Sequence, residues 1–137
     1  MAKRFLIVGL GRFGASLARS LASGGGEVMA VDVDMANVDR VKDTVTFAAA
    51  LDATLPEALR SIGASSCHTA IVSIGENFEA AVLSVSALRE VGVRHVVARA
   101  ASATKARILA AAGAHEVIEV EEEMGRRLAG NLLAGSR

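Results

Sequence analysis

The 137-residue sequence has no Trp, no Tyr and only four Phe. Aromatic platforms on which nucleic-acid bases stack are therefore missing. It also lacks an excess of either charge, because 15 Lys and Arg balance 15 Asp and Glu. That balance argues against a nucleic-acid partner, since neutralising phosphates takes a basic surface. One cysteine, Cys67, cannot build a disulfide framework and fits a reducing compartment. No apolar run approaches the roughly 18 residues of a membrane span. The apolar stretch 5–8 is too short for a signal-peptide core. The expectation is a soluble, cytoplasmic domain that does not enter the membrane itself.

What is present is apolar. Hydrophobic residues make up 52% of the chain and charged ones 22%, which excludes intrinsic disorder. The length suits one domain with a substantial core. A chain this apolar with no net charge is poorly soluble alone, so assembly is expected.

Short β-branched runs recur at 5–8, 28–33, 45–48, 69–74, 93–99 and 116–120. Segments with helical spacing separate them, near 12–23, 35–42, 54–62, 77–91, 102–112 and 121–135. Several of the strand runs are apolar throughout, as strands of a parallel sheet covered on both faces are. Strict alternation of strand and helix predicts a Rossmann-type α/β fold. Its six-stranded, doubly wound parallel sheet carries helices on both faces, with a C-terminal helix appended. Gly24, Gly63, Gly92 and Gly113 each follow a helical segment, where a C-cap glycine is expected. Pro56 falls in a first helical turn after Thr54, which is the expected N-cap.

The loop Gly9-Leu10-Gly11-Arg12-Phe13-Gly14 has the spacing of a dinucleotide fingerprint and lies between the first strand and the first helix. Gly9 allows the tight turn, Gly11 lets backbone approach a pyrophosphate, and Gly14 lets helix pack on strand. The helix N-terminus adds unpaired N–H groups and partial positive charge. Asp32 ends the second strand 18 residues after Gly14. A carboxylate there accepts from ribose hydroxyls and repels a 2′-phosphate, which disfavours NADP. Asp34 is expected to cap the next helix.

The string 7–14, with Val31-Asp32, 51–54, 74–77 and 121–125, closely resembles the RCK (regulator of K⁺ conductance) or TrkA-N, KtrA-like nucleotide-binding domain. The resemblance runs from about Arg4 to the end of the chain and implies one domain over 1–137. It implies a cytoplasmic regulator that binds NAD⁺/NADH or ATP/ADP. Such a domain forms homodimers or rings on the inner face of the membrane, gating a potassium channel or transporter. Members of the family usually continue into a second, smaller lobe that these residues do not include. By the resemblance, Gly9, Gly11, Arg12 and Phe13 lie against the phosphates and Asp32 holds the ribose. Asp52, Ala53 and Thr54 edge the adenine site, with an Asx turn as the plainer reading of the first and last. Ile74, Gly75 and Asn77 stand across the sheet's switch point, where Asn77 also suits a helix start. Arg99 is directed at the phosphates, or is a solvated strand end. Glu121 is placed beside a divalent cation, Mg²⁺ or Ca²⁺, or simply complements the helix dipole with Glu122 and Glu123.

The competing function is an NAD-dependent oxidoreductase reduced to its cofactor domain. Against it, there is no Tyr and no Ser-x-x-x-Lys pair to supply a proton beside a nicotinamide. The expectation is a non-catalytic sensor. His68, His95 and His115 have no metal-ligand spacing and are expected to be structural. For assembly, the stripes Phe78, Val82, Val85, Leu88 and Met124, Leu128, Leu132 are both expected to face another subunit.

Overall fold

A computed structural model describes residues 2–135. The outermost positions of the expected domain, Met1, Ser136 and Arg137, lie outside the described residues. The elements are β1 (Arg4–Val8), α1 (Arg12–Ser23), β2 (Glu27–Asp32), α2 (Met35–Asp39), β3 (Phe47–Ala50) and α3 (Pro56–Ser61). They continue with β4 (Thr69–Val72), α4 (Phe78–Glu90), β5 (His95–Arg99), α5 (Ala103–Ala112), β6 (Glu116–Ile118) and α6 (Val120–Leu133). A single 3-10 turn at Ala64–Ser66 precedes β4 and has no counterpart in the sequence pattern.

All six strands are parallel, in the order β3-β2-β1-β4-β5-β6. The order reverses at β1, so the crevice lies between the C-terminal ends of β1 and β4. Strand periodicity divides the core into two. Leu6, Val8, Ala70, Val72, Val96 and Ala98 point to one face, against α4 and α5. Ile7, Ile71 and Val97 point to the other, against Leu10, Ala15 and Ala18 of the first βα unit. This is why the central runs are apolar at every position.

Three local expectations are corrected. β3 forms two residues later than 45–48, with Phe47–Ala50 pairing Met29–Asp32. The β-branched Val45 and Thr46 lose to a turn in which the Thr44 hydroxyl donates to the Val41 carbonyl at 2.9 Å. β-propensity yields here to sheet register. Thr54 does not cap α3: Leu55 is the N-cap and offers no side-chain bond, while Pro56 opens the helix as expected. The α4 stripe is not free for a partner. Val85 and Leu88 are fully buried in this chain's own core, with Phe78 and Val82 packed beside them. A parallel sheet needs that helix to cover β4 and β5.

The α6 stripe behaves differently. Every residue from 121 to 135 is exposed, so the helix does not fold back on its own sheet. Met124 is 55%, Leu128 56% and Leu132 59% exposed.

Two histidines tie strands together. His68 Nδ1 accepts from the Arg4 N–H at 3.1 Å and His115 Nδ1 from the Val96 N–H at 3.0 Å. Both rings accept through Nδ1 at strand entry, the structural role expected of them.

Candidate functional site

The glycine loop is held in one shape by its neighbours. Gly9 has φ of +96°, a conformation other residues enter only with strain, and its N–H donates to the Val31 carbonyl at 2.9 Å. The next N–H, from Leu10, donates to Asp32 Oδ2 at 2.7 Å. On the opposite side, the buried Ser73 hydroxyl donates to the Gly9 carbonyl at 2.6 Å. The loop is thus braced from β2 by a carboxylate and from the end of β4 by a hydroxyl.

Gly14 and Gly11 do different work in that frame. A Cβ on Gly14 would stand 1.9 Å from the Gly9 carbonyl oxygen and 2.5 Å from Ser73 Oγ. Only glycine lets α1 approach this closely. Gly11, the N-cap of α1, has nothing within 4 Å of a Cβ position. The backbone there looks into open space at the N-terminus of a 12-residue helix with no acidic residue in its first turn. No acid of the helix's own first turn compensates its dipole, an arrangement suited to phosphate. Arg12 opens that helix with an exposed side chain.

Asp32 is busier than expected. Besides Leu10, it accepts from the Asp34 N–H at 2.8 Å and from Asn37 Nδ2 at 3.2 Å. Two carboxylate oxygens offer about four lone pairs, so room remains to accept from a ribose hydroxyl. Asp34 caps α2 as expected, accepting from the Ala36 N–H at 3.0 Å. Asp52 Oδ1 accepts from the Thr54 N–H at 3.0 Å and from its hydroxyl at 2.6 Å, the expected Asx turn. Asp52 is exposed, whereas the Ala53 side chain is buried in the core.

Across the switch point, β4 ends at Val72 rather than at 74. Ile74 lies against Gly9, where a Cβ would meet the Ile74 backbone nitrogen at 3.0 Å. Asn77 is the N-cap of α4, accepting from the Ala80 N–H at 3.0 Å. Its helix-starting role is therefore satisfied within the chain.

Arg99 joins three segments. Its guanidinium sits 5.6 Å from the centre of the Phe13 ring, within cation–π range. A Cβ on Gly75 would stand 3.6 Å from Arg99 Nη1. Arg99 Nη2 also donates to Glu121 Oε2 at 2.8 Å. A backbone N–H at the start of α6, and then the Arg99 guanidinium, hold the Glu121 carboxyl below its ordinary value. Beside this contact lies a recess of about 40 Å³ lined by Ile74, Gly75, Phe78, Arg99 and Lys105. Lys105 Nζ stands 5.3 Å from the Phe78 ring centre. Among the described residues, no group of three or more His, Cys, Asp or Glu side chains is placed to hold a metal ion.

The structure therefore gathers Gly9, Gly11, Arg12, Phe13, Gly14, Asp32, Ile74, Gly75 and Arg99 around the ends of β1, β2, β4 and β5. Asp52, Ala53 and Thr54 follow the end of β3, where the Leu51 N–H donates to the Asp32 carbonyl at 3.0 Å and Ala53 packs in the core with Val8 and Val31. Ser73 and Asn37 were not anticipated. The one signal for Ser73 was a hydroxyl inside an otherwise apolar run, and Asn37 carried none.

Comparison with known proteins agrees with the fold. Residues 5–120 match the model of the TrkA-N domain. Ktr system potassium uptake protein C of Bacillus subtilis is 33% identical over 136 residues, covering 99% of this chain and 62% of the relative. The chain thus spans about three fifths of the relative's length. The crystal structure of the TrkA-N domain of inner membrane protein ybaL from Escherichia coli superposes with a TM-score of 0.84 at 22% identity, covering 96% of this chain and 98% of that one. The GsuK channel bound to NAD superposes with a TM-score of 0.80 at 17% identity, covering 93% of this chain and 23% of that one. At these identities the two structures support the fold. With its Rossmann sheet, its braced glycine loop and the match over 5–120, the chain belongs to the TrkA-N domain family.

Proposed function

We propose that this chain is the nucleotide-sensing domain of a potassium channel or transporter. It binds the phosphates of NAD⁺/NADH or ATP/ADP over Gly11, with Asp32 on the ribose. The observation that carries this reading is the glycine loop. It is preformed by Asp32 and Ser73 and opens onto the N-terminus of α1, with no atom of another described segment within 4 Å of a Cβ position at Gly11. A loop fixed before ligand arrives loses little entropy on binding. The potassium uptake protein among its relatives supplies the transport context.

The domain works as a regulator from the cytoplasmic side rather than as an enzyme. Binding changes how subunits pack, and a membrane partner reads the change. The packing surface is α6, whose stripe Met124, Leu128 and Leu132 is exposed along its length and suits a second copy of the chain.

Calorimetric titration with ATP, ADP, NADH and NADPH tests the reading. Saturable binding of one or more of the first three, weaker NADPH binding and no turnover are expected. Hydride transfer to an added substrate, or no binding at all, would refute it.

A further inference from the structure

We propose that Asn37, itself aimed by Arg40, is the positioning residue that sets the Asp32 carboxylate for the ribose. The inference rests on the nucleotide reading above and adds to it a second residue on which ribose recognition depends.

Asn37 is half-buried in the middle of α2, the helix that follows Asp32 in the chain. Asp34 ties that helix to the end of β2. Its N–H donates to Asp32 Oδ1 at 2.8 Å, and its side chain accepts from the Ala36 N–H at 3.0 Å. Val38 and Val41 anchor the same segment in the core. Asn37 is thus held in place, and its Nδ2 donates to Asp32 Oδ2 at 3.2 Å. The other end of the amide, Oδ1, accepts from Arg40 Nη2 at the C-cap of α2.

The two neighbours leave the amide one orientation. A guanidinium only donates and an ionised carboxylate only accepts, so Oδ1 faces Arg40 and Nδ2 faces Asp32. Of the three donors on Asp32, those from Leu10 and Asp34 are backbone groups that any sequence supplies. Asn37 is the side-chain donor, and with it both oxygens are held and the carboxylate cannot swing about its last bond. A ribose hydroxyl then meets an acceptor already aligned, at little entropic loss. The amide also spaces the cation from the carboxylate. Bonded directly to Asp32, Arg40 would take two of its lone pairs in a bidentate pair. Through Asn37 it takes none.

The test is calorimetry on the full chain with ATP and with 2′,3′-dideoxy-ATP, which keeps the phosphates and lacks both ribose hydroxyls. Asn37→Ala is expected to lower the ratio of ATP affinity to dideoxy-ATP affinity roughly two- to tenfold, the worth of one hydrogen bond. Dideoxy-ATP binding should stay close to wild type. Asn37→Asp keeps the shape and the Arg40 contact but replaces the donor with an acceptor, and should lower the ratio at least as far. Arg40→Gln should lower it by less, and should add nothing to Asn37→Ala, because the two act through one contact. A ratio that Asn37→Ala leaves unchanged, in a protein whose wild type favours ATP, overturns the positioning role alone. Equal weakening of both ligands makes Asn37 a general structural residue, and also overturns it. A wild type that binds the two ligands alike removes Asp32 from the ribose, and this role with it. A wild type that binds neither sinks the nucleotide reading as a whole.

Discussion

Gly14 and Gly11 are three residues apart in one motif, yet the structure gives them separable tasks, and substituting each in turn tests the whole account. In Gly14→Ala the new Cβ would begin 1.9 Å from the Gly9 carbonyl oxygen. That is roughly 1 Å inside the nearest approach real Cβ atoms make, and the obstacle is backbone. The second neighbour, Ser73 Oγ at 2.5 Å, is itself bonded to that carbonyl. Relief requires α1 to lift from β1, loosening Ala15 and Ala18 in the core as well. Overpacking of this kind costs about 1–3 kcal/mol, and a rigid backbone obstacle places it at the upper end. For a domain of this size that is on the order of 10 °C in Tm. In Gly11→Val the backbone, with φ of −71°, accepts the side chain and there is nothing to strike. Stability should fall by no more than about 1 kcal/mol, the difference between good and poor N-caps. ATP or NADH binding should weaken well over tenfold, because the isopropyl group fills the phosphate position. Thermal unfolding and calorimetry on both variants give a two-by-two outcome. A Gly14→Ala protein that melts with the wild type, or a Gly11→Val protein that binds nucleotide normally, would refute the geometry.

Asp32→Ala should narrow the preference for NADH over NADPH and lower affinity for both. It removes an acceptor worth about 1.5–3 kcal/mol to a ribose hydroxyl and also releases the Leu10 N–H; an unchanged preference would mean the carboxylate serves the loop alone. Ser84→Ala should raise Tm, since the Ser84 hydroxyl is fully buried without a partner among the described residues and Ala is the better helix former; a lower Tm in differential scanning calorimetry would contradict this. His115 is held below its ordinary value by lost hydration and then by the charges of Arg89 and His95. The unfolded chain therefore binds the proton more readily, and this contribution is complete above about pH 6.5 and shrinks as pH falls toward the lower folded value. Urea midpoints from pH 7.5 to 5 should fall less in His115→Gln than in the wild type. Leu128→Glu should shift the mass seen by light scattering from dimer toward monomer, and a wild type that is monomeric at tens of micromolar removes the role given to α6.

The order of elements was legible because a parallel sheet leaves its mark at every central position. Leu6, Ile7 and Val8 must all be apolar when alternate residues serve two different cores. The glycine loop was legible because Gly9 and Gly14 answer backbone demands that no other residue meets. The register of β3 was not, because Ala48, Ala49 and Ala50 carry no strand preference of their own and take it from β2. Nor could the α4 stripe be assigned to core or partner. An apolar helix face reads the same whichever surface covers it, and only the position of α4 over β4 and β5 decides. Asp32 shows the limit at the site itself. Spacing singled the residue out, but its three internal donors come from Leu10, Asp34 and Asn37, brought to it by the fold.

The two braces on the glycine loop also mature at different moments of synthesis. Val31 and Asp32 leave the ribosome soon after Gly9 and Leu10, and they can hold the β2 side of the loop while the rest of the chain is still being made. Ser73 follows some 40 residues later, and its bond to Gly9 needs β4 seated beside β1. The first half of the chain therefore carries every glycine of the motif with only half of its support. At typical elongation rates of about 5–20 residues per second, that state lasts for seconds. On the proposed function, nucleotide affinity then arrives late, as a property of the finished sheet. A chain truncated before β4 is expected to bind nucleotide poorly.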